Sequence, residues 1–119
     1  VELRDADAAV GYAGSAHERA PDNPFYATTL GVAHYRQQES AKAIEALREA
    51  NLLREGQVHA RTGFFIAMAL WGQPEPADDE AESFYQQAVA WMEANRPANL
   101  ELQRIRAEAE EVRKAATAA

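Results

Sequence analysis

Apolar positions along the chain recur at spacings of three and four residues, the pattern of helices that each bury one face. Leu30, Ile44, Leu47, Ile66, Tyr85 and Val89 lie on such stripes. Leu102, Ile105, Ala109, Val112 and Ala116 form another on a stretch otherwise full of charge. Proline and glycine divide the pattern into six predicted helices, over residues 4–19, 24–37, 40–54, 59–71, 79–95 and 99–117. The clearest start is Asp22-Asn23-Pro24, where Asn23 can accept from the open N–H groups of the first turn. Pro24 suits the first helical position because its missing donor is not needed there. Gly56 follows Leu52, Leu53 and Arg54 and is placed to take the left-handed conformation that closes a helix. Alanine, glutamate, leucine and arginine dominate, with only 6 glycines and 5 prolines. The fold class this predicts is all-α.

The helices repeat one another. Ala9, Ala13, Ala16 and Pro21 stand at spacings of four, three and five, and Ala43, Leu47, Ala50 and Glu55 reproduce them. Ala81, Tyr85 and Ala88 carry the four-three spacing again. Between these sets, Ala27, Leu30, Gly31 and His34 are echoed by Gly63, Ile66, Ala67 and Leu70. The period is about 34 residues, the length of a two-helix repeat unit.

The pattern resembles the tetratricopeptide repeat family, in which a large residue, Leu-Gly and Tyr on helix A are followed by Ala, an aromatic, Ala and Pro along helix B. The resemblance spans roughly residues 5–95. It implies antiparallel helical hairpins stacked as a right-handed α-solenoid, one domain over residues 1–119: a half repeat of helix B alone (1–22), a first repeat (23–57), a second repeat (58–96) and a C-terminal capping helix (97–119). Gly31 and Ala67 sit where helix A must pass close to helix B, opposite Ala43, Ala50, Ala81 and Ala88; larger side chains there would force the hairpin open. The sequence departs from the family where His34 replaces the usual tyrosine and Glu55 the terminal proline. The segment from Trp71 to Pro76 also lengthens the second inter-helix loop. Arg106 follows Ile105 where a repeat helix would need Gly or Ala, so the last helix reads as a solvating cap. The chain opens at Val1 inside a helical pattern, which reads as a domain cut from a longer protein. The open face of the half repeat bares apolar surface that invites pairing between chains as a homodimer.

Charge and composition narrow the function. With 12 basic against 19 acidic residues the net charge is −7, which repels a phosphate backbone and argues against nucleic acid as a partner. There is no cysteine, hence no disulfide, zinc-thiolate site or cysteine nucleophile. The longest strongly apolar run, Phe64 to Trp71, is short of the roughly 20 residues that span a bilayer, so no membrane partner and a cytoplasmic location are expected. His17, His34 and His59 fall on three different helices without motif spacing, and their expected role is surface or hairpin packing. Glu75, Asp78, Asp79, Glu80 and Glu82 lack the alternating ligands and central glycine of a calcium loop; acids in that place favour a helix N-terminus through its dipole. No phosphate loop, nucleophile elbow or kinase signature is present. No enzyme activity, metal or cofactor is expected.

The resemblance places the groove-lining positions on Phe25, Thr28, Val32, Tyr35 and Arg36 in the first repeat and on Arg61, Phe64, Met68 and Trp71 in the second. Aromatics and arginine concentrate binding energy because they bury large area at small entropic cost. The reading is a non-catalytic scaffold that binds a protein or peptide through the concave face. Thr28 and Val32 stand where the lysine and asparagine of the family's clamp for acidic C-terminal peptides would be expected, so an apolar or aromatic-bearing segment fits better. The alternative is homo-oligomeric assembly or packing inside a larger multidomain protein. The alanine- and glutamate-rich helix B, aromatic helix A and Trp91-Met92 ending are similar to repeat segments at the C-terminal end of large bacterial serine/threonine kinases and WD40 proteins. That likeness implies a module whose parent's kinase activity lies outside these residues.

Overall fold

The computed structural model describes residues 3–118. Among them are six α-helices and no strand: α1 (Leu3–Arg19), α2 (Pro24–Arg36), α3 (Ser40–Leu53), α4 (Ala60–Trp71), α5 (Asp78–Asn95) and α6 (Leu100–Thr117). The all-α class and all six predicted helices are present, with ends within a few residues of those expected. The chain forms two compact units, the first ending at Gln57 and the second beginning at Val58.

In the first unit α2 packs on both α1 and α3. Its start is built as the sequence indicates: Asn23 Oδ1 accepts the Phe25 N–H at 2.9 Å, and Pro24 is the first helical residue. Its end uses Gln38, a left-handed residue with φ 67°, and the Glu39 N–H donates back to the His34 carbonyl at 2.9 Å. At the end of α3 two consecutive residues are left-handed, Glu55 at 57° and Gly56 at 85°, and the Gly56 N–H donates to the Asn51 carbonyl at 2.8 Å. The sequence points to Gly56 alone. Glu55 stands where the sequence resemblance expects a proline, whose ring holds φ at about −65° and could not adopt this turn. The departure from the pattern therefore follows from the backbone.

The hairpin of α2 and α3 closes on Gly31. A Cβ built there would lie 2.5 Å from Leu47 Cγ, 2.7 Å from Leu47 Cδ2 and 3.3 Å from the Ala43 carbonyl oxygen. Ala27, Thr28, Gly31 and Ala33 of α2 and Ala43, Ala46, Leu47 and Ala50 of α3 are buried around this crossing.

In the second unit α4 packs on α5 and α6. Every residue of α4 except Arg61 is buried. The tightest approach is at Gly63, where a Cβ would meet Ala88 Cβ and Val58 Cγ1 at 2.8 Å and the Phe84 carbonyl oxygen at 3.1 Å. Ala67, the position expected from the repeat pattern, is fully buried as well. The His59 ring stacks on Trp91 with centroids 4.8 Å apart, joining the start of α4 to the end of α5. Asn99 Oδ1 accepts the Leu102 N–H at 2.9 Å and caps α6, which buries Leu102, Ile105 and Ala109. Polar links also hold α6: Arg113 donates to both carboxylate oxygens of Glu82 at 2.8 and 2.9 Å, and the Tyr85 hydroxyl donates to Glu110 Oε2 at 2.8 Å. Among the described residues no helix is long and apolar enough to cross a membrane.

Two glycine substitutions should move stability in opposite directions. Gly31→Ala forces Leu47 out of its place and is expected to lower the unfolding free energy by about 1–3 kcal/mol. At Gly11 in α1 an added Cβ meets nothing within 4 Å. Gly11→Ala is thus expected to raise stability by about 0.5–1 kcal/mol through helix propensity. Urea unfolding followed by circular dichroism checks both.

Candidate partner-binding surface

The nine positions expected to line a groove fall into two groups. On α2, Phe25, Val32 and Arg36 are separated by seven and four residues and share one line along the helix, with Thr28 and Tyr35 on its flank. Phe25 is 58% exposed, Arg36 is exposed, and Val32 and Tyr35 are half-buried. The Arg36 guanidinium lies 5.8 Å from the centroid of the Tyr35 ring, and Phe25 meets Tyr26 edge-on at 5.8 Å. Thr28 is buried at the base of this strip, where its Oγ1 accepts from Arg54 Nη1 at 3.3 Å. An aromatic at each end, an aliphatic between them and a cation beside Tyr35 make a surface able to bury apolar area and engage a carboxylate or carbonyl.

The four positions on α4 lie elsewhere. Phe64 and Met68 are fully buried and Trp71 is 4% exposed. Phe64 and Trp71 both pack against the Tyr85 ring of α5, with centroids at 5.8 and 6.1 Å. The Arg113 guanidinium lies 5.2 Å from the centroid of the Tyr85 ring, tying α6 into the same cluster. These three side chains are core of the second unit. Arg61, half-buried, pairs with Glu101 of α6 at 3.7 Å; burial pulls its pKa down and the Glu101 charge opposes this. Helical spacing alone could not separate the α2 group from the α4 group, because Thr28, Val32 and Tyr35 stand at the same helical positions as Phe64, Met68 and Trp71, 36 residues apart. The near absence of polar residues around α4 was the available signal that this helix is covered on all sides.

The histidines behave as packing residues, with one arrangement that spacing did not reveal. His17 of α1 and His34 of α2 share a pocket of about 420 Å³ with Leu30 and with Lys42, Glu45, Ala46 and Glu49 of α3. His17 Nε2 lies 3.0 Å from Glu49 Oε1. Burial, and next the charge of Lys42, hold His34 below its ordinary value of 6.5; Gln37, Glu39 and Glu45 act in the opposite direction. The four-residue steps from Lys42 to Ala46 and from Glu45 to Glu49 place these side chains on one side of α3, the only trace of the pocket in the sequence. Among the described residues no group of three or more His, Asp and Glu is placed to hold a metal ion. The acids Asp78, Asp79 and Glu80 lie in the first turn of α5, where its dipole favours them.

No protein-family model matches the chain, and no curated protein matches it either.

Two outcomes test these placements. Trp71→Ala removes a core side chain and is expected to destabilise the protein by about 3–5 kcal/mol, seen as an earlier unfolding midpoint. Because His34 resists protonation in the fold, the unfolded chain takes up its proton first as pH falls. His34 therefore contributes a loss of stability on acidification through about 6.5, and none at alkaline pH. His34→Gln should show a smaller drop in unfolding midpoint between about pH 7.5 and pH 5 than the unmodified protein.

Proposed function

We propose that the chain is a non-catalytic protein–protein interaction module, two tetratricopeptide-type hairpins with a preceding helix B and a terminal cap, in which α2 receives a segment of another protein. The observation that carries this reading is the strip of Phe25, Val32, Tyr35 and Arg36. Phe25 is a large apolar side chain more than half open to solvent, and an arginine–aromatic pair stands three turns along the same helix. Exposed aromatics cost free energy in water, and that cost is recovered when a partner covers them. The repeat spacing, the close crossings at Gly31 and Gly63 and the capping character of α6 support the solenoid assignment. The favoured ligand is an apolar or aromatic-bearing segment, because Thr28 is buried and Val32 is aliphatic, which leaves no polar clamp at the middle of the strip. Phe64, Met68 and Trp71 act in this reading as the rigid core that supports the module, and Arg61 as a tie to α6.

Selection of a displayed random-peptide library on the unmodified protein tests the proposal. Enriched peptides are expected to carry aromatic or large aliphatic residues. Phe25→Ala and Tyr35→Ala should each weaken the best of them about tenfold while leaving the circular dichroism spectrum and melting curve unchanged. No enrichment, or binding indifferent to both variants, would overturn the assignment of this strip.

A further inference from the structure

The pocket of about 420 Å³ in the first unit shares no residue with the strip of Phe25, Val32, Tyr35 and Arg36. Its volume lies within the roughly 300–1,000 Å³ of small-molecule sites, and its lining is ordered by charge. Leu30 of α2 and the buried Ala46 of α3 supply apolar surface. Lys42 stands in the first turn of α3. Glu45 and Glu49 follow it on the same side of the helix, about 4.5 and 10.5 Å further along the axis. The pocket therefore has a cationic end, an apolar floor and an anionic end.

The polar groups are held in a state that leaves these charges open to a ligand. The Glu49 carboxylate is fixed by His17, whose Nε2 lies 3.0 Å from Oε1. Lys42 and Glu45 are exposed, and neither makes an ion pair among the described residues. His34 adds no second cation. Its Nδ1 is buried without a hydrogen-bond partner, a place that an uncharged acceptor nitrogen tolerates better than a charged N–H. Burial, and next the Lys42 charge, keep the ring neutral at ordinary pH.

We propose that this pocket binds a small zwitterion, an ammonium and a carboxylate joined by an apolar carbon chain. The carboxylate meets Lys42, the ammonium meets Glu45 and Glu49, and the chain between them covers Leu30 and Ala46. Neither a simple cation nor a simple anion matches this lining. A cation drawn to Glu45 and Glu49 is repelled by Lys42, and an anion drawn to Lys42 meets two carboxylates. A dipolar molecule laid along α3 complements all three charges and the apolar floor together. The spacing along the helix favours a chain of several carbons over an α-amino acid, whose two charges flank a single carbon. The α2 strip takes no part, so this inference and the proposed binding function stand or fall separately.

Titration of the full chain with 6-aminohexanoate at about pH 7.5, where His34 is neutral, tests the proposal by calorimetry and by the NMR signals of the His17 and His34 rings. Saturable binding is expected, with a dissociation constant of about 1 mM or tighter and both ring signals moving. Hexanoate and hexylamine, which each lack one charge, and glycine, which lacks the chain, should bind about fivefold more weakly or worse. Lys42→Gln and Glu45→Gln should each weaken 6-aminohexanoate by about the same factor. Both side chains are exposed, so the circular dichroism spectrum of each variant should match the original. Phe25→Ala should leave the titration unchanged. No saturable binding up to about 10 mM, equal binding of a singly charged comparator, or indifference to either charge variant would overturn the site.

Discussion

The close crossing of two helix backbones is the constraint on which each unit is built. At Gly31 and at Gly63 the space for a side chain is already filled, by Leu47 of the opposing helix in one case and by Ala88 of the opposing helix and Val58 of the segment before α4 in the other. Backbones this near bring alanines into contact along both helices, which accounts for the complete burial of Ala27, Ala43 and Ala50 and of Ala81 and Ala88. It also decides where bulk can go. Phe64, Trp71 and Tyr85 cluster where the helices of the second unit leave room for rings, and the His59–Trp91 stack closes the far end of the same hairpin. Small residues at the crossing and large ones away from it are two halves of one packing solution.

That solution explains which features were legible in the sequence. Repeats of Ala-x3-(large or Ala)-x2-Ala, and of Gly or Ala before them, are direct imprints of the crossing. The helices, the start at Asn23-Pro24 and the buried stripe of α6 could therefore be read from residue types and spacing. The exposure of individual aromatics could not. Tyr35 and Trp71 stand at equivalent places in a periodic pattern, yet one is partly open to solvent and the other is 4% exposed. What separates them is the neighbourhood of each helix, which spacing along a single segment does not encode. The left-handed residues Gln38 and Glu55 were hidden for a different reason: both are common polar residues, and the turn that requires a positive φ is set by the hydrogen bonds that close the helix.

Polar contacts add direction to packing that apolar area alone leaves unspecified. Glu82 with Arg113 and Tyr85 with Glu110 each join α5 to α6 across a long stretch of sequence. α6 makes its broader packing with α4, so these bonds define how it rotates against α5 as well. His17 and Glu49 do the same for α1 and α3. None of these partnerships has a local signature, since the partners stand 25, 31 and 32 positions apart in the chain.

The strip on α2 has a further property that follows from its rigidity. Phe25 and Arg36 are eleven residues apart on one unbroken helix, which separates them by about 16 Å along its axis. A ligand read at both ends must span that distance, equal to about five residues of extended chain or three turns of helix. Under the proposed function such a surface would act as a ruler, distinguishing segments by the spacing of their anchors as much as by the identity of any one of them.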